Sequence, residues 1–367
     1  MIKDMQFFKA KVGKRFIGIA LLVAGLLAVT AGALKILTYA DQQPALKEVV
    51  VQGRESSNKK GASVRFAAVG DFGATDDAKA VLTTMGKEKP DYTLALGDLS
   101  YSETTEKEWC ALVHSSLGDD HPFEIVAGNH DTDGMAIGSG KGHIYDFAAC
   151  LPNRMSSLRG DYALNYYFDY QNLVRSIMIS PDISLAGHEF SFQKGGADFE
   201  WLKNVLTDAR SKSIPWVVVG MHKNCITMGE KTCEIGTDVL DLLAEQKVDL
   251  VLQGHEHAYF RSKQLVINEQ CPSLLPAAFK AACVVEGTDN KQYKKGEGTI
   301  LAIPGTGGRA LRDVNQTRPE KDYFAVWSGK NVDPTYGPLI VDLNKNTLSA
   351  YFSGTDGKKH DVFSVQQ

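Results

Sequence analysis

Short apolar runs that stop abruptly at polar residues recur along the chain. "VRFAAVG" (64–70), "DYTLALG" (91–97), "PFEIVAG" (122–128), "PWVVVGM" (215–221) and "VDLVLQG" (248–254) are continuous rather than alternating. That is the pattern of strands buried on both faces. Between them, "DDAKAVLTTMGKEK" (76–89), "TEKEWCALVHSSL" (105–117), "DFEWLKNVLTDARSK" (198–212) and "TDVLDLLAEQ" (237–246) space their apolar residues as helices do. Strand–helix alternation predicts parallel strands joined by right-handed crossovers. After residue 260, "GTILAIPGTGG" (298–308), "GPLIVDL" (337–343) and "TLSAYFSG" (347–354) predict strands with turns and little helix. The expected fold class is α/β: two mixed sheets face to face with helices outside, a four-layer α-β-β-α sandwich. No internal repeat or low-complexity tract interrupts it.

The N-terminal pattern is different. Residues 1–15 hold Lys3, Lys9, Lys11, Lys14 and Arg15 against one acid, Asp4, and form a basic tail expected in the cytoplasm. Phe16 to Leu34 is 19 residues without a charge, followed by Lys35 and "ILTYA". A spanning helix needs roughly 20 apolar residues, and a lysine at its end can snorkel. Residues 16–40 are therefore expected to be a transmembrane signal anchor, with the rest of the chain exported. The alternative is a signal peptide cleaved after about Ala33, where "AGA" has the small-x-small form; the protein is then secreted. Residues 41–62 are polar and read as a stalk, and 63–367 as the folded domain.

Of the 367 residues, 43% are hydrophobic and 23% charged, and the net charge is −4. These values are ordinary for a globular protein and exclude a nucleic-acid partner held by bulk charge. No obligate protein partner is expected. The six cysteines, Cys110, Cys150, Cys225, Cys233, Cys271 and Cys283, fit an exported chain with disulfides. The simplest pairing closes the short loops Cys225–Cys233 and Cys271–Cys283 and leaves Cys110 with Cys150. "NQT" at 315–317 is a glycosylation sequon.

In an open α/β sheet, ligands bind beyond the carboxyl ends of the strands. After the five strands come Asp71; Asp98 with Tyr101; Asn129, His130 and Asp131; His222; and His255, Glu256 and His257. One such residue is a turn, but five strand ends of this kind make a site. Carboxylates, an amide oxygen and imidazoles without thiolates suit Fe, Mn or Zn. Two metals held ~3.5–4 Å apart need a bridging ligand, and Asp98 is the expected bridge. A phenolate at Tyr101 favours Fe(III).

"GDFG", "GDLSY", "GNHD", "VGMH" and "GHEH" resemble, in order and spacing, the five motif blocks of the purple acid phosphatases, the tartrate-resistant acid phosphatase-like branch of the calcineurin-like metallophosphoesterases. The resemblance spans roughly 65–355. Most of that superfamily has His two residues after the first Asp, where this chain has Gly73 and adds Tyr101. The resemblance implies the metallophosphoesterase fold and an acid phosphatase that cleaves small phosphate monoesters by attack of a metal-bound hydroxide. It implies Asp71, Asp98, Tyr101 and His257 as ligands of Fe(III), and Asp98, Asn129, His222 and His255 as ligands of a divalent Fe, Zn or Mn. Asn129 and His130 would contact the phosphate, and His130 would help proton transfer.

The further histidines that many members carry after the "VxxH" block are missing from "KNCITMGEKTCEIG" (223–236). Lys223, Asn224 or Glu256 is expected to substitute there. "PGTGG" (304–308) is expected to be a tight turn, with approach to the phosphate as the alternative. His114, His121, His143, His188 and His360 read as surface or packing residues. Two other functions stay open: a phosphodiesterase or nucleotide-cleaving enzyme on the same fold, and a weakly catalytic, membrane-anchored scaffold. The first needs a more open cleft, and the second has no need of seven ligands and His130.

Overall fold

The structure is a computed structural model and describes residues 63–132, 136–185, 187–286 and 290–367. The expected tail, membrane span and stalk at 1–62 lie outside the described residues. Among the described residues, no helix is long and apolar enough to cross a membrane.

In chain order the strands are β1 Val64–Val69, β2 Tyr92–Ala95, β3 Phe123–Ile125, β4 Arg159–Gly160, β5 Tyr166–Tyr170, β6 Val174–Met178, β7 Ser184–Leu185, β8 His188–Glu189, β9 Trp216–Gly220, β10 Leu250–Leu252, β11 Tyr259–Ser262, β12 Gln292–Lys294, β13 Ile300–Pro304, β14 Phe324–Ser328, β15 Leu339–Leu343, β16 Thr347–Ser353 and β17 Lys359–Gln366. The helices are α1 Asp76–Glu88, α2 Glu106–Leu117, α3 Ile144–Cys150, α4 Ala197–Ser211 and α5 Thr237–Glu245. One sheet runs β12-β17-β16-β15-β1-β2-β3 and the other β14-β11-β13-β10-β9-β6-β5-β4. Both are mixed, as expected. β1, β2 and β3 are mutually parallel, as are β6, β9, β10 and β13.

Local chemistry starts the helices. Thr75 Oγ1 caps α1 by accepting from the Ala78 N–H, and Thr105 with Glu108 forms a reciprocal capping box on α2. α1 then buries Ala78, Val81, Leu82 and Met85 on one face. The two sheets meet through interdigitating side chains. Tyr92 of β2 hydrogen-bonds Ser176 of β6 at 3.1 Å, and Tyr259 of β11 stacks on Phe352 of β16 at 4.3 Å. Three disulfides join Cys110–Cys150, Cys225–Cys233 and Cys271–Cys283. Each shrinks the unfolded ensemble, a stabilisation of about 2–4 kcal/mol.

The stretch 135–197, where periodicity predicts no element, holds α3 and β4–β8. β17 is also unexpected. Its side chains alternate between buried and exposed, so it shows none of the continuous apolar signal that marks the central strands.

A buried ion pair crosses the interface between the sheets. Arg261 of β11 is bidentate to Asp361 of β17, and Tyr259 Oη donates to the same carboxylate at 2.9 Å. Removing one partner leaves the other charge buried and bare, so Asp361→Ala should cost about 3–5 kcal/mol of stability. The double variant Arg261→Met/Asp361→Ala should recover most of it. Urea unfolding midpoints test this: equal midpoints for Asp361→Ala and wild type would show that the pair is not coupled to the fold.

Candidate metal centre

β1, β2, β3, β9 and β10 end at one edge, and the chemistry-bearing residues follow within a few positions. Their backbones are bent sharply to bring them inward. Asp71, Asp98, Tyr101 and His255 have φ of 62°, 54°, 53° and 73°. For side chains with a Cβ this left-handed region costs about 1–3 kcal/mol each and persists only where the surroundings enforce it. The enforcement is visible. Asp71, Phe72 and Gly73 donate backbone N–H bonds to the carbonyls of Gly97, Asp98 and Leu99 at 3.0–3.1 Å. The buried Asp131 carboxylate accepts from the backbone N–H of Asp98, Leu99 and Gly128 at 2.7, 3.0 and 2.9 Å.

Within this frame three imidazoles are oriented by their outer nitrogens. His222 Nδ1 lies 2.8 Å from the Leu96 carbonyl, His257 Nδ1 3.1 Å from the Ala310 carbonyl, and His255 Nε2 3.0 Å from Glu234 Oε1. An oxygen acceptor at one nitrogen assigns the proton there and leaves the other nitrogen a lone pair. His222 Nε2 then faces His255 Nδ1 at 3.2 Å, Asn129 Oδ1 at 3.1 Å and Asp98 Oδ2 at 3.3 Å. Four acceptor atoms converge, and such a set is reconciled by a shared proton or by a cation. Asp98, His222 and His255 form the cluster whose ligand atoms all lie within 4.8 Å of one another.

A second group adjoins it. Tyr101 Oη donates to Asp71 Oδ1 at 2.9 Å and lies 3.0 Å from His257 Nε2, which is 3.5 Å from Asp71 Oδ1. Asp98 bears on both groups: its charge acts on the Tyr101 phenol, and its Oδ2 lies 3.3 Å from His222 Nε2. The seven expected ligands are thus brought together, with Asp98 between the two halves. The donor set fits two metal ions.

Electrostatics agree with that fit. Burial keeps the His255 and His257 rings neutral, at about 4 and about 3. Burial also pushes the Asp71 carboxyl up to about 7. Burial opposes the charge on Asp98, but His222 holds its carboxyl well below the usual range. Burial disfavours charge on His222 too, yet Asp98 raises it to about 9; a proton shared there stands where a cation would. Burial, then the Asp71 and Asp98 charges, push the Tyr101 phenol far up, so its phenolate requires a cation beside it.

His130 and Asn129 are exposed at the open face. The backbone N–H of His130 donates to Asp98 Oδ1 at 2.9 Å, and its ring lies 4.6 Å from that of Tyr101. Lys223 and Glu256 are engaged elsewhere. Lys223 Nζ pairs with Asp182 and Glu234. Glu256 is buried, accepting from Thr227 Oγ1 and from the backbone N–H of Glu230 and Lys231. Asn224 is buried in the same loop. "PGTGG" lies on the floor of the site: a Cβ at Gly305 would come within 2.8 Å of Asp71 Oδ2. Glu234 and Arg309 were not expected from the sequence, and Asp131 was expected only as one of the polar residues after β3, without this role. The Arg309 guanidinium lies 4.5 Å over the Tyr101 ring and pairs with Glu103.

The sequence profile of the calcineurin-like phosphoesterase family matches residues 64–259, a span that includes all seven expected ligands. The chain belongs to the calcineurin-like phosphoesterases. Within that family it is similar to probable purple acid phosphatase 20 of Arabidopsis thaliana, at 28% identity over 54% of this chain and 46% of the relative. It is also similar to purple acid phosphatase 22 of the same plant, at 29% identity over 57% of this chain and 48% of the relative. The chain therefore spans about half the length of the curated relatives it matches. In fold it is similar to the purple acid phosphatase PPD1 from yellow lupin (Lupinus luteus) seeds. The TM-score is 0.62 at 18% identity, covering 84% of this chain and 54% of that one.

Asp131 orders the loop that carries Asp98 in this phosphoesterase. Asp131→Ala strands three buried N–H groups, and leaving even one unmet costs about 1–3 kcal/mol. The expected outcome is a clear fall in melting temperature together with lower metal content. Asp131→Asn, which keeps an acceptor, should be milder. Melting curves and metal analysis of the two variants check it; an unchanged Asp131→Ala would remove the role given to this carboxylate.

Proposed function

We propose that the protein is an exported, two-metal phosphatase that hydrolyses phosphate monoesters. The observation that carries this is the convergence of acceptor atoms of Asp98, Asn129, His222 and His255, beside a second group of Asp71, Tyr101 and His257 next to Asp98. Asp71, Asp98, Tyr101 and His257 would hold Fe(III), the ion suited to a phenolate. Asp98, Asn129, His222 and His255 would hold a divalent Fe, Zn or Mn. The bound ions would supply positive charge for the phosphate oxygens and Lewis acidity at the phosphorus.

The chain's own groups do the rest. Asn129 turns its Oδ1 toward His222, so its amide N–H groups are free to donate to a phosphate oxygen. His130 stands exposed over Tyr101, where a ring nitrogen can bond the phosphate and hold a proton for the leaving oxygen. Its position is set by its own N–H to Asp98. Lys223 is pinned by two carboxylates, which leaves His130 as the better placed proton carrier. Three disulfides support an oxidising compartment. The basic tail and uncharged run at 1–34 support anchoring by residues 16–40.

Hydrolysis of p-nitrophenyl phosphate by the purified, metal-loaded chain tests the function. Asp98→Ala should lose at least about a thousandfold in kcat/KM, roughly 4 kcal/mol of transition-state stabilisation. It should lose bound metal as well. Hydrolysis undiminished in Asp98→Ala would sink the proposal. Tyr101 is tested by colour. A phenolate on Fe(III) gives a visible charge-transfer band, which Tyr101→Phe should abolish while keeping its fold and some hydrolysis. Full iron occupancy in the wild type without such a band would remove Tyr101 from the ligand set.

A further inference from the structure

The segment after β9 leaves the site at His222 and returns to it at Glu234. The Cys225–Cys233 disulfide closes the excursion, and just outside the bridge the Glu234 N–H donates to the Asn224 carbonyl at 3.0 Å. Each neck of the loop thus delivers a charged side chain beside a metal-site histidine. Lys223 directly follows His222, and Glu234 directly follows Cys233. Glu234 Oε1 lies 3.0 Å from His255 Nε2, while Oε2 lies 3.1 Å from Lys223 Nζ, which also grips Asp182. Glu256, one residue beyond His255, anchors the middle of the loop through Thr227, Glu230 and Lys231.

We infer that Glu234 is a positioning residue of the metal centre: its carboxylate fixes the tautomer and ring orientation of His255, and the disulfide-closed loop 225–233 holds it there. The inference rests on reading Asp98, Asn129, His222 and His255 as one metal site. The other two imidazoles are oriented by backbone carbonyls, of Leu96 and Ala310. His255 alone takes its orienting acceptor from a loop side chain. Without Glu234 the ring is free to turn or to place its proton on Nδ1, the nitrogen that faces His222 at 3.2 Å. Outer partners of this kind change metal affinity by about 10–100-fold. Lys223 uses the second carboxylate oxygen, so the group cannot rotate away from the ring. A glutamate serving only to stiffen the loop through Lys223 would have no need of its bond to His255.

The test is isothermal titration of the full chain, stripped of metal, with Zn(II) as the probe. Wild type, Glu234→Ala and Glu234→Gln are compared, and each stripped form is melted. In Glu234→Ala, one of two zinc equivalents should weaken by about 10–100-fold, with the other equivalent and the melting temperature of the stripped protein unchanged. Gln keeps a side-chain oxygen that accepts from Nε2–H, so Glu234→Gln should restore most of the affinity. The iron-loaded Glu234→Ala protein should keep the Tyr101 visible band, because that ligand lies in the other half. The double variant Cys225→Ser/Cys233→Ser should weaken the same zinc equivalent as Glu234→Ala. Unchanged zinc affinity in Glu234→Ala overturns the inference. So does a loss that Gln does not restore, or one matched by an equal fall in the stripped protein's melting temperature. Unchanged binding in the double variant overturns the role given to the loop. A wild type that binds no zinc defeats the metal-site reading itself, which separates the two failures.

Discussion

Buried negative charge with too few protein cations to meet it is the constraint on which the rest of this molecule depends. Asp71, Asp98 and Asp131 are all buried, and an ionised carboxylate taken out of water is costly unless it is paired and hydrogen-bonded. The chain meets the cost with backbone N–H groups. Asp71 accepts from the His255 N–H, Asp98 from the His130 N–H, and Asp131 from three more. The donors at Asp98, Leu99 and His255 point inward on loops that enter the left-handed region at Asp98, Tyr101 and His255. Backbone strain and buried charge are therefore one arrangement: the strain aims the donors that make the charges tolerable. What the donors leave unmet, at Asp98 and Asn129, is the place that suits metal ions.

Strain of this kind needs a rigid host, and the paired sheets supply it. His222 belongs to the strand end of β9 in one sheet, yet its Nδ1–H is held by Leu96, at the end of β2 in the other. The site therefore straddles the seam, and a shift of one sheet against the other would separate His222 from Asp98. Side chains along the seam oppose such a shift. They include the Tyr92–Ser176 bond, the Tyr259–Phe352 stack, the Arg261–Asp361 pair and the Trp216 N–H to the Asn344 carbonyl. Some of these contacts lie far from the ligands, but they fix the relation between the two halves of the donor set.

This division explains what was legible in the sequence. The central parallel strands are covered on both faces, so they write themselves as unbroken apolar runs, and the residues after them stand out. Every residue expected as a ligand stands just after one of these strands. β6 and β17 carry buried charged or polar groups such as Arg175, Ser176 and Asp361, and so they break the apolar signal. Asp131 was visible in "GNHD" but not its task, because its partners Asp98 and Leu99 lie more than thirty residues earlier. Glu234 lies in a loop whose missing histidines drew attention to Lys223 and Glu256 instead. Its contact with His255 follows from a disulfide and a loop path that no local spacing encodes.

The exchange of histidine for glycine at position 73 makes sense as part of a larger unit. Gly73 has φ +73°, and a Cβ there would come within 2.7 Å of Glu103 Oε2. Glu103 occupies the space beside it, accepting the Ala74 N–H at 2.7 Å and pairing with Arg309. Arg309 in turn lays its guanidinium over the Tyr101 ring and ties its own N–H to the Asp71 carbonyl. A side chain at 73 would displace Glu103, which would release Arg309 and leave one face of Tyr101 without support. The phenol and the glycine are thus coupled through two charged residues that touch neither the carboxylate of Asp98 nor the imidazoles. A chain that simply replaced Tyr101 with another residue would keep a glutamate and an arginine arranged around a ring that was no longer there.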